Sequence, residues 1–317
     1  MRIVLAVLSA LLFVQTVHST AQDLSNYEAG ISALNSHDYD LAFDLLLPLA
    51  EAGNSDAQSK IAHMYYWGEG RAPDYAEHFR WSLRSAEAGN PTGQFDVATD
   101  YYSGRGVAQD IKAGLKWTTL AAEGGDDYAQ LALGIRYLNG LGVSLDLERG
   151  KHYLAQAVEQ NEPRALMLTA SAHIFGEFGF AADFDKGIGF LKRAAEHHHA
   201  GAQLSYGMHL LNKAQSEAEL SEGLKWLTLS AMVGCEKAIS ALVPLRASVS
   251  DSVAERATEL ADQWLVAQPA RAPHDHRDYK QAFCSTAPIV NALTATRDKE
   301  GSETALHAHT QNGPLPL

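Results

Sequence analysis

The side chains that could do chemistry in this chain are histidines and carboxylates. His197-His198-His199 is the densest cluster, and His274-Asp275-His276 and His307-Ala308-His309 follow nearer the C-terminus. Histidine tracts can bind metals. A zinc site needs about four ligands converging on one point, and successive histidines along a turn point in different directions. No carboxylate or cysteine stands at ligand spacing beside them. They read as exposed turn and tail residues that would support adventitious zinc or nickel binding at most, so neither metal nor cofactor is expected. A row of carboxylates, Asp74, Asp110, Asp146 and Asp183, offers acid–base groups one unit apart, whereas catalysis needs them paired in a water-restricted pocket. The pairs Gly68/Gly70 and Gly104/Gly106 invite a phosphate-loop reading, but they recur in phase with helix ends and read as turns. No G-x-S-x-G elbow occurs. No catalytic residue is assigned on these grounds.

The elements that carry these residues are repeated. Trp81, Trp117, Tyr153, Phe190 and Trp226 form a ladder with rungs 36, 36, 37 and 36 residues apart. Parallel rows run beside it: Tyr65, Tyr101, Tyr137 and His173; Gly68, Gly104, Gly140 and Gly176; and a small-residue pair followed by Glu87, Glu123, Glu159 and Glu196. A fixed period in the thirties marks a stack of small units in place of one folded core. Five copies can be drawn, 55–90, 91–126, 127–162, 163–199 and 200–238, preceded by a half-copy in 22–54. Each reads as helix, glycine turn, helix. The aspartate row falls where N-caps belong, and Asp74 with Glu77 has the spacing of a capping box. Gly114, Gly150, Gly187 and Gly223 stand three residues before the aromatic rung, inside the second helix. Glycine there costs about 1 kcal/mol against alanine, so its recurrence implies that another helix passes too close for a side chain.

The run Ala129, Leu133-Gly134, Tyr137, Gly140-Leu141-Gly142-Val143, Asp146 resembles the Sel-one-like repeat family, relatives of the tetratricopeptide repeats. Gly104-Arg105-Gly106-Val107, Asp110, Trp117 and Ala121-Ala122-Glu123-Gly124-Gly125 carry the same pattern, and the resemblance covers residues 27 to 238. It implies an all-α fold, a right-handed α-solenoid of antiparallel helix pairs that scaffolds or regulates other proteins, generally without catalysis of its own. Two copies depart from the pattern. The fourth has Gly176-Glu177-Phe178-Gly179 and one extra residue, and the fifth, around Asn212-Lys213-Ala214, has no glycine turn.

Arg2 and the apolar run Ile3 to Val14 have the length of a signal-peptide core, and Ser19-Thr20-Ala21 fits a cleavage site that would leave Gln22 first. The reading is a leader over 1–21 and an exported chain, periplasmic or secreted, with no membrane segment after cleavage. Export permits a disulfide between the two cysteines, Cys235 and Cys284, though nothing in the sequence brings them together. With 38 acidic against 25 basic residues and a formal charge of −13, no basic stripe is available to neutralise phosphates, which argues against nucleic acid. Residues 239–267 read as terminal capping helices. One of them, starting at Ser250 or Asp251, turns Ala254, Ala257, Leu260, Ala261, Trp264 and Leu265 toward the stack. Residues 268–317, polar and punctuated by proline, are predicted to lack a stable fold.

The remaining functional surface is the face of the first helices, which lines the concave side in tetratricopeptide-like stacks. That likeness places His63, Tyr66, Phe95, Thr99, Tyr102, Tyr128, Leu131, Ile135, Leu138, Met167 and Ile174 on a groove suited to a protein or peptide ligand. The alternative is that curvature buries the same side chains as core, and the sequence leaves both open. The leading expectation is an exported, non-enzymatic, protein-binding scaffold. An envelope hydrolase acting on peptidoglycan or a β-lactam through His63 or His173 is one alternative. A glycan- or muropeptide-binding module using Tyr66 and Trp67 is the other.

Overall fold

The computed structural model describes residues 22–267; the predicted leader, the tail from 268 onward and Cys284 lie outside them. All regular structure among the described residues is helical, and the chain divides into two compact units at Ala129/Gln130. Unit 1 holds α1 (22–35), α2 (Tyr39–Glu51), α3 (Ser55–Trp67), α4 (Tyr75–Glu87), α5 (Pro91–Ser103) and α6 (Ile111–Glu123). The next helix, α7 (Asp127–Asn139), starts in unit 1 and runs into unit 2. Unit 2 continues with α8 (Leu147–Glu159), α9 (Pro163–Phe175), α10 (Phe184–Glu196), α11 (Ala200–Lys213), α12 (Glu217–Met232), α13 (Glu236–Ala247) and α14 (Asp251–Ala267). Consecutive helices within each unit pack on one another, as the repeat reading requires.

Helix ends follow two alternating rules. Asp74, Asp110, Asp146 and Asp183 each accept amide hydrogen bonds of 2.9–3.0 Å in the first turn of the second helices. Glu77 does not complete a capping box; its carboxylate accepts from Arg80 instead. A second cap row, not recognised in the sequence, starts the first helices: Asn54, Asn90, Asp126, Glu162 and His199 accept from Ala57, Gly93, Ala129, Ala165 and Ala202. The glycines after α3, α5 and α9 take left-handed φ values of 74°, 69° and 71° and close those helices. Where the fifth copy lacks such a glycine, the chain leaves α11 through an extended Ala214, and a capping box of Ser216 and Glu219 starts α12. In the fourth copy Phe178 (φ 53°) and Gly179 (φ 71°) absorb the extra residue, and Phe178 packs on the unit 2 core.

Helices α2 to α10 are each thirteen residues long, a length that is marginal in isolation. Their stability comes from the contacts they make with neighbours. Buried glutamines tie three first helices, α3, α5 and α11, to the end of the preceding one: Gln58 donates to Ala50 O at 2.9 Å, Gln94 to Ala86 O at 3.4 Å and Gln203 to Ala195 O at 3.2 Å. Ser85 and Ser230, in the small-residue row, donate to Ser55 O and Ala200 O at 2.8 and 2.7 Å. These bonds add side-chain ties to carbonyls that also accept within their own helix or its C-terminal turn, as Ala50, Ala86 and Ala195 do from Gly53, Gly89 and His198.

The glycine row marks the tightest approach within a repeat. A Cβ on Gly114 would lie 2.6 Å from the Tyr102 ring, on Gly187 2.5 Å from Ile174 Cγ1, and on Gly223 2.7 Å from Leu211 Cγ. On Gly150 it would stand 2.6 Å from Leu138 Cγ and 2.9 Å from the Leu138 backbone nitrogen. One side chain from each of α5, α7, α9 and α11 therefore sits directly on the backbone of its partner. At the C-terminal end, α14 buries Val253, Ala254, Ala257 and Ala261, and Trp264 packs edge-on against Trp226 at 5.6 Å. Leu265, one turn beyond Ala261 and expected to face the stack, is 41% exposed.

Gly150→Ala is expected to destabilise the protein by about 1–2 kcal/mol despite its better helix propensity, since the added methyl meets backbone that cannot give way. Gly189→Ala, with nothing within 4 Å of the new carbon, should stabilise by about 1 kcal/mol. Urea midpoints followed by circular dichroism distinguish the two, and equal shifts would show that packing does not explain the row.

Candidate partner-binding surface

The structure divides the first-helix row in two. In unit 1, Tyr66, Phe95 and Tyr102 are partly buried and Thr99 is exposed, whereas His63 and Tyr128 are buried. Phe95 stacks on Tyr128 with ring centroids 6.2 Å apart, and the Tyr102 hydroxyl lies 3.0 Å from Thr118 Oγ1. In unit 2, Leu131 and Leu138 are 2% exposed and belong to a core cluster with Leu154, Ala157 and Ala165; Ile135 packs against its edge. Met167 and Ile174 pack likewise against the cluster around Leu166, Ala170 and Leu191. The groove expectation is therefore corrected for Tyr128, Leu131 and Leu138, which are core. Their partner helices are too close to leave a cleft, as the Leu138–Gly150 contact shows. Among the expected residues, the accessible ones in unit 1 are Tyr66, Phe95, Thr99 and part of Tyr102.

Around them stands a polar cluster that the sequence did not disclose. His63 Nε2 lies 2.8 Å from Asp96 Oδ2, and His78 Nε2 lies 3.2 Å from Asp100 Oδ2. His78 occupies the position of the glycine row, 36 residues before Gly114. Tyr66 accordingly does not press on a backbone; its ring meets the His78 ring edge-on at 5.0 Å. The Arg105 guanidinium donates to the Tyr66 hydroxyl and lies 4.8 Å from its ring centroid and 5.2 Å from that of Tyr75. Trp67 and Tyr75, 50% and 46% exposed, flank Tyr66 at 4.8 and 5.7 Å. The departure from glycine was visible in the alignment of the copies; the carboxylates it recruits, Asp96 and Asp100, were not.

The geometry of this cluster differs from that of a catalytic triad. A triad base binds a carboxylate through Nδ1 and aims Nε2 at the nucleophile. His63 instead gives Nε2 to Asp96, and its Nδ1 is buried without a hydrogen bond. His78 faces two acceptors, the Ala62 carbonyl at Nδ1 (3.0 Å) and Asp100 at Nε2. The imidazolium satisfies both, or a proton resides on Asp100. Burial opposes the His78 charge, but the Asp100 hydrogen bond and the charges of Asp96 and Asp100 outweigh it and raise its pKa above the usual imidazole value. Burial likewise raises the Asp100 carboxyl, against the lowering effect of His78. His173, the other catalytic alternative, is buried, stacks on Phe190 at 5.7 Å and places Nδ1 3.3 Å from Ala181 O.

The triple-histidine turn is not uniformly exposed, contrary to expectation. His197 is exposed, His198 rests at 4.7 Å on Trp264, and His199 is buried as the N-cap of α11, its Nδ1 accepting from Ala202 N at 3.1 Å. Burial, then the Arg164 charge, push the His199 pKa down to about 4. A neutral ring is what the capping role requires. Among the described residues no group of three or more His, Cys, Asp or Glu is arranged to hold a metal ion, and no helix is long and apolar enough to cross a membrane.

The two histidines give opposite pH dependences. His78 binds its proton more tightly folded than unfolded, so its contribution is present below the ordinary imidazole value and is lost as pH rises through the raised one; that of Asp100, also raised, is present below the ordinary carboxylate value and is lost through its own raised one. Asp100→Asn or His78→Gly should flatten the fall in urea midpoint measured between about pH 6 and pH 8. His199 binds its proton less tightly folded, so its contribution is present above the ordinary value and is lost as pH falls toward 4. The loss amounts to about 3 kcal/mol from the displacement, and His199→Asn, a cap that does not titrate, should remove it. Unchanged slopes in these variants would refute both assignments.

A Sel1 repeat family model matches residues 24–54, 55–90, 91–126, 127–162 and 163–199. No curated protein is significantly similar to the chain. Among solved structures, it is similar to a Sel1 repeat protein from Oxalobacter formigenes, with 24% identity and a TM-score of 0.62 over 75% of this chain and 99% of that one. It is also similar to c5321, a protective antigen present in uropathogenic Escherichia coli strains and displaying an SLR fold. That match has 24% identity and a TM-score of 0.54 over 90% of this chain and 59% of the antigen. At these identities the two structures speak to fold alone. The matched repeats cover more than half of the sequence, and the chain belongs to the Sel1 repeat family, a helical-repeat scaffold of the kind typical of protein–protein interaction.

Proposed function

We propose that this protein is an exported, non-enzymatic scaffold of the bacterial cell envelope whose unit 1 receives a protein or peptide segment. The observation that carries the reading is the accessible strip of α3 and α5. There Phe95 and Thr99 are left at the surface beside Asp56 and Asp96, with Tyr66 and Trp67 at the far end. Such a strip offers an apolar face for one side chain of an incoming segment and carboxylates for a cationic or hydrogen-bonding group. Asp56 is exposed and already accepts from Asn90 at 2.7 Å, so a ligand amide would replace a bond the strip can make. Export is supported by the leader-like residues 1–21, and the acidic charge of −13 disfavours a nucleic-acid partner.

A photo-crosslinking residue placed at Thr99 in cells should capture a specific envelope protein, and Phe95→Ala or Asp96→Arg should reduce the yield about tenfold, as loss of about 1.4 kcal/mol implies. The same probe at Leu120, exposed on α6, serves as control. Identical products from both positions, or a mature chain that does not begin at Gln22 in a periplasmic fraction, would refute the reading.

A second reading is favoured by the exposed Trp67 and Tyr75 rings around Tyr66: this end could bind a glycan or muropeptide. Titration with muropeptides should then quench fluorescence that disappears in Trp67→Phe.

A further inference from the structure

The turn after α5 carries a cation that the repeat does not require. Arg105 stands between Gly104 and Gly106, both left-handed at φ 69° and 68°. In the neighbouring copies its place is taken by Glu69, Leu141 and Glu177. A Cβ on Gly106 would lie 2.0 Å from the Tyr75 carbonyl oxygen, so the turn is seated on the backbone at the start of α4. The guanidinium lies against the Tyr66 and Tyr75 rings, and its hydrogen bond among the described residues goes to the Tyr66 hydroxyl. A guanidinium has five N–H donors in a fixed fork, and the Arg105 nitrogens that make no bond here are not sealed from solvent. No carboxylate among the described residues lies within ion-pair distance of it. Asp100, which senses its charge, is buried and paired with His78.

A charge at a helix end can serve to balance the helix dipole, but that role needs neither the two rings nor the seated turn. The arrangement matches a carboxylate, whose two oxygens accept from the fork while its apolar stem lies along exposed ring. The half-exposed Trp67 and Tyr75 supply that ring. The opposite end of the same strip carries the opposite charge. Helices α3 and α5 are tied at their starts by Asn90 donating to Asp56 and at their ends by Arg105 donating to Tyr66, so they run side by side in one direction. From Asp56 to Tyr66 along α3 is about 15 Å at the helical rise, the span of about four or five extended residues. We propose, resting on the reading that this strip receives a peptide segment, that Arg105 binds a carboxylate of that segment against Trp67 and Tyr75, while a cationic side chain upstream meets Asp56. The segment then has a fixed direction, and one held by its terminal carboxylate runs parallel to α3. A sugar acid would offer the carboxylate without the distant cation, so the two-ended charge favours a peptide.

Selection of random hexapeptides on the full chain tests this, with one library ending in free carboxylates and a second amidated. The free library should yield binders with lysine or arginine about four or five residues before the end. If the amidated library yields binders only with aspartate or glutamate at that end, the carboxylate is a side chain and the site stands. Arg105→Gln should weaken the best binder about tenfold and remove its preference for the acid over the amide, and Arg105→Lys should lose less. Asp56→Asn should weaken binding and keep that preference. Equal yield from both libraries with no acidic residue selected, or a preference for the acid that survives in Arg105→Gln, would overturn the proposal. So would retention of glucuronate in place of any peptide, which would assign the patch to a sugar acid. Failure to select from either library overturns it as well, and capture by the crosslinker at Thr99 then decides whether the wider peptide reading stands.

Discussion

The four repeats from 91 to 238 depend on one steric condition: a side chain of the first helix must rest on the backbone of the second. Tyr102 on Gly114, Leu138 on Gly150, Ile174 on Gly187 and Leu211 on Gly223 meet it in turn. Thirteen-residue helices gain too little from their own hydrogen bonds to persist alone, so interhelical contact must compensate. Glycine forfeits about 1 kcal/mol of helix propensity at each place, and the exchange is favourable because the approach lets a large apolar side chain lose its water. The caps and buried glutamines then fix where each helix starts relative to the one before it. This condition also explains why the first-helix face of unit 2 is core: side chains committed to a neighbouring backbone are not available to a ligand.

The first full repeat breaks the condition, and its surface differs accordingly. With His78 where glycine would be, Tyr66 stands on a ring, and two histidine–aspartate pairs lie beside it. Buried ion pairs are weak contributors to stability when desolvation is counted against them. What they provide in unit 1 is a fixed, polar footing for Tyr66, Arg105 and Tyr75 at the surface. The local exception to the packing rule and the exposed aromatic rings of Trp67 and Tyr75 are in the same place.

Much of this architecture was legible because its signals recur. The aspartate caps, the glycine turns and the crowding at Gly114 to Gly223 each follow from a residue type whose physical preference is strong and whose position repeats. Burial of individual first-helix side chains was harder. Leu131 and Leu138 differ from Ile135 only by direction around α7, and direction depends on how tightly the pair closes. The polar cluster was hidden for another reason: His63 meets Asp96 and His78 meets Asp100 across sequence distances that no local pattern encodes. His199 looked like one of three equivalent turn residues, yet its place in the second cap row, after Asn54, Asn90, Asp126 and Glu162, sets it apart. That row was present in the sequence and was obscured by the variety of side chains that serve as caps.

The same row ends at Cys235, which sits at the N-cap of α13 with no side-chain hydrogen bond to the helix. Where the preceding repeats place a group that any polar residue could replace, the last one places a group whose bond depends on one other atom in the chain. Duplication can lengthen an array of this kind between any two earlier repeats, because each junction carries its own complete set of bonds. The last junction differs, because Cys235 is disulfide-bonded and makes no such cap bond. A reductant would therefore act on this junction and leave the hydrogen-bonded caps of the earlier repeats untouched.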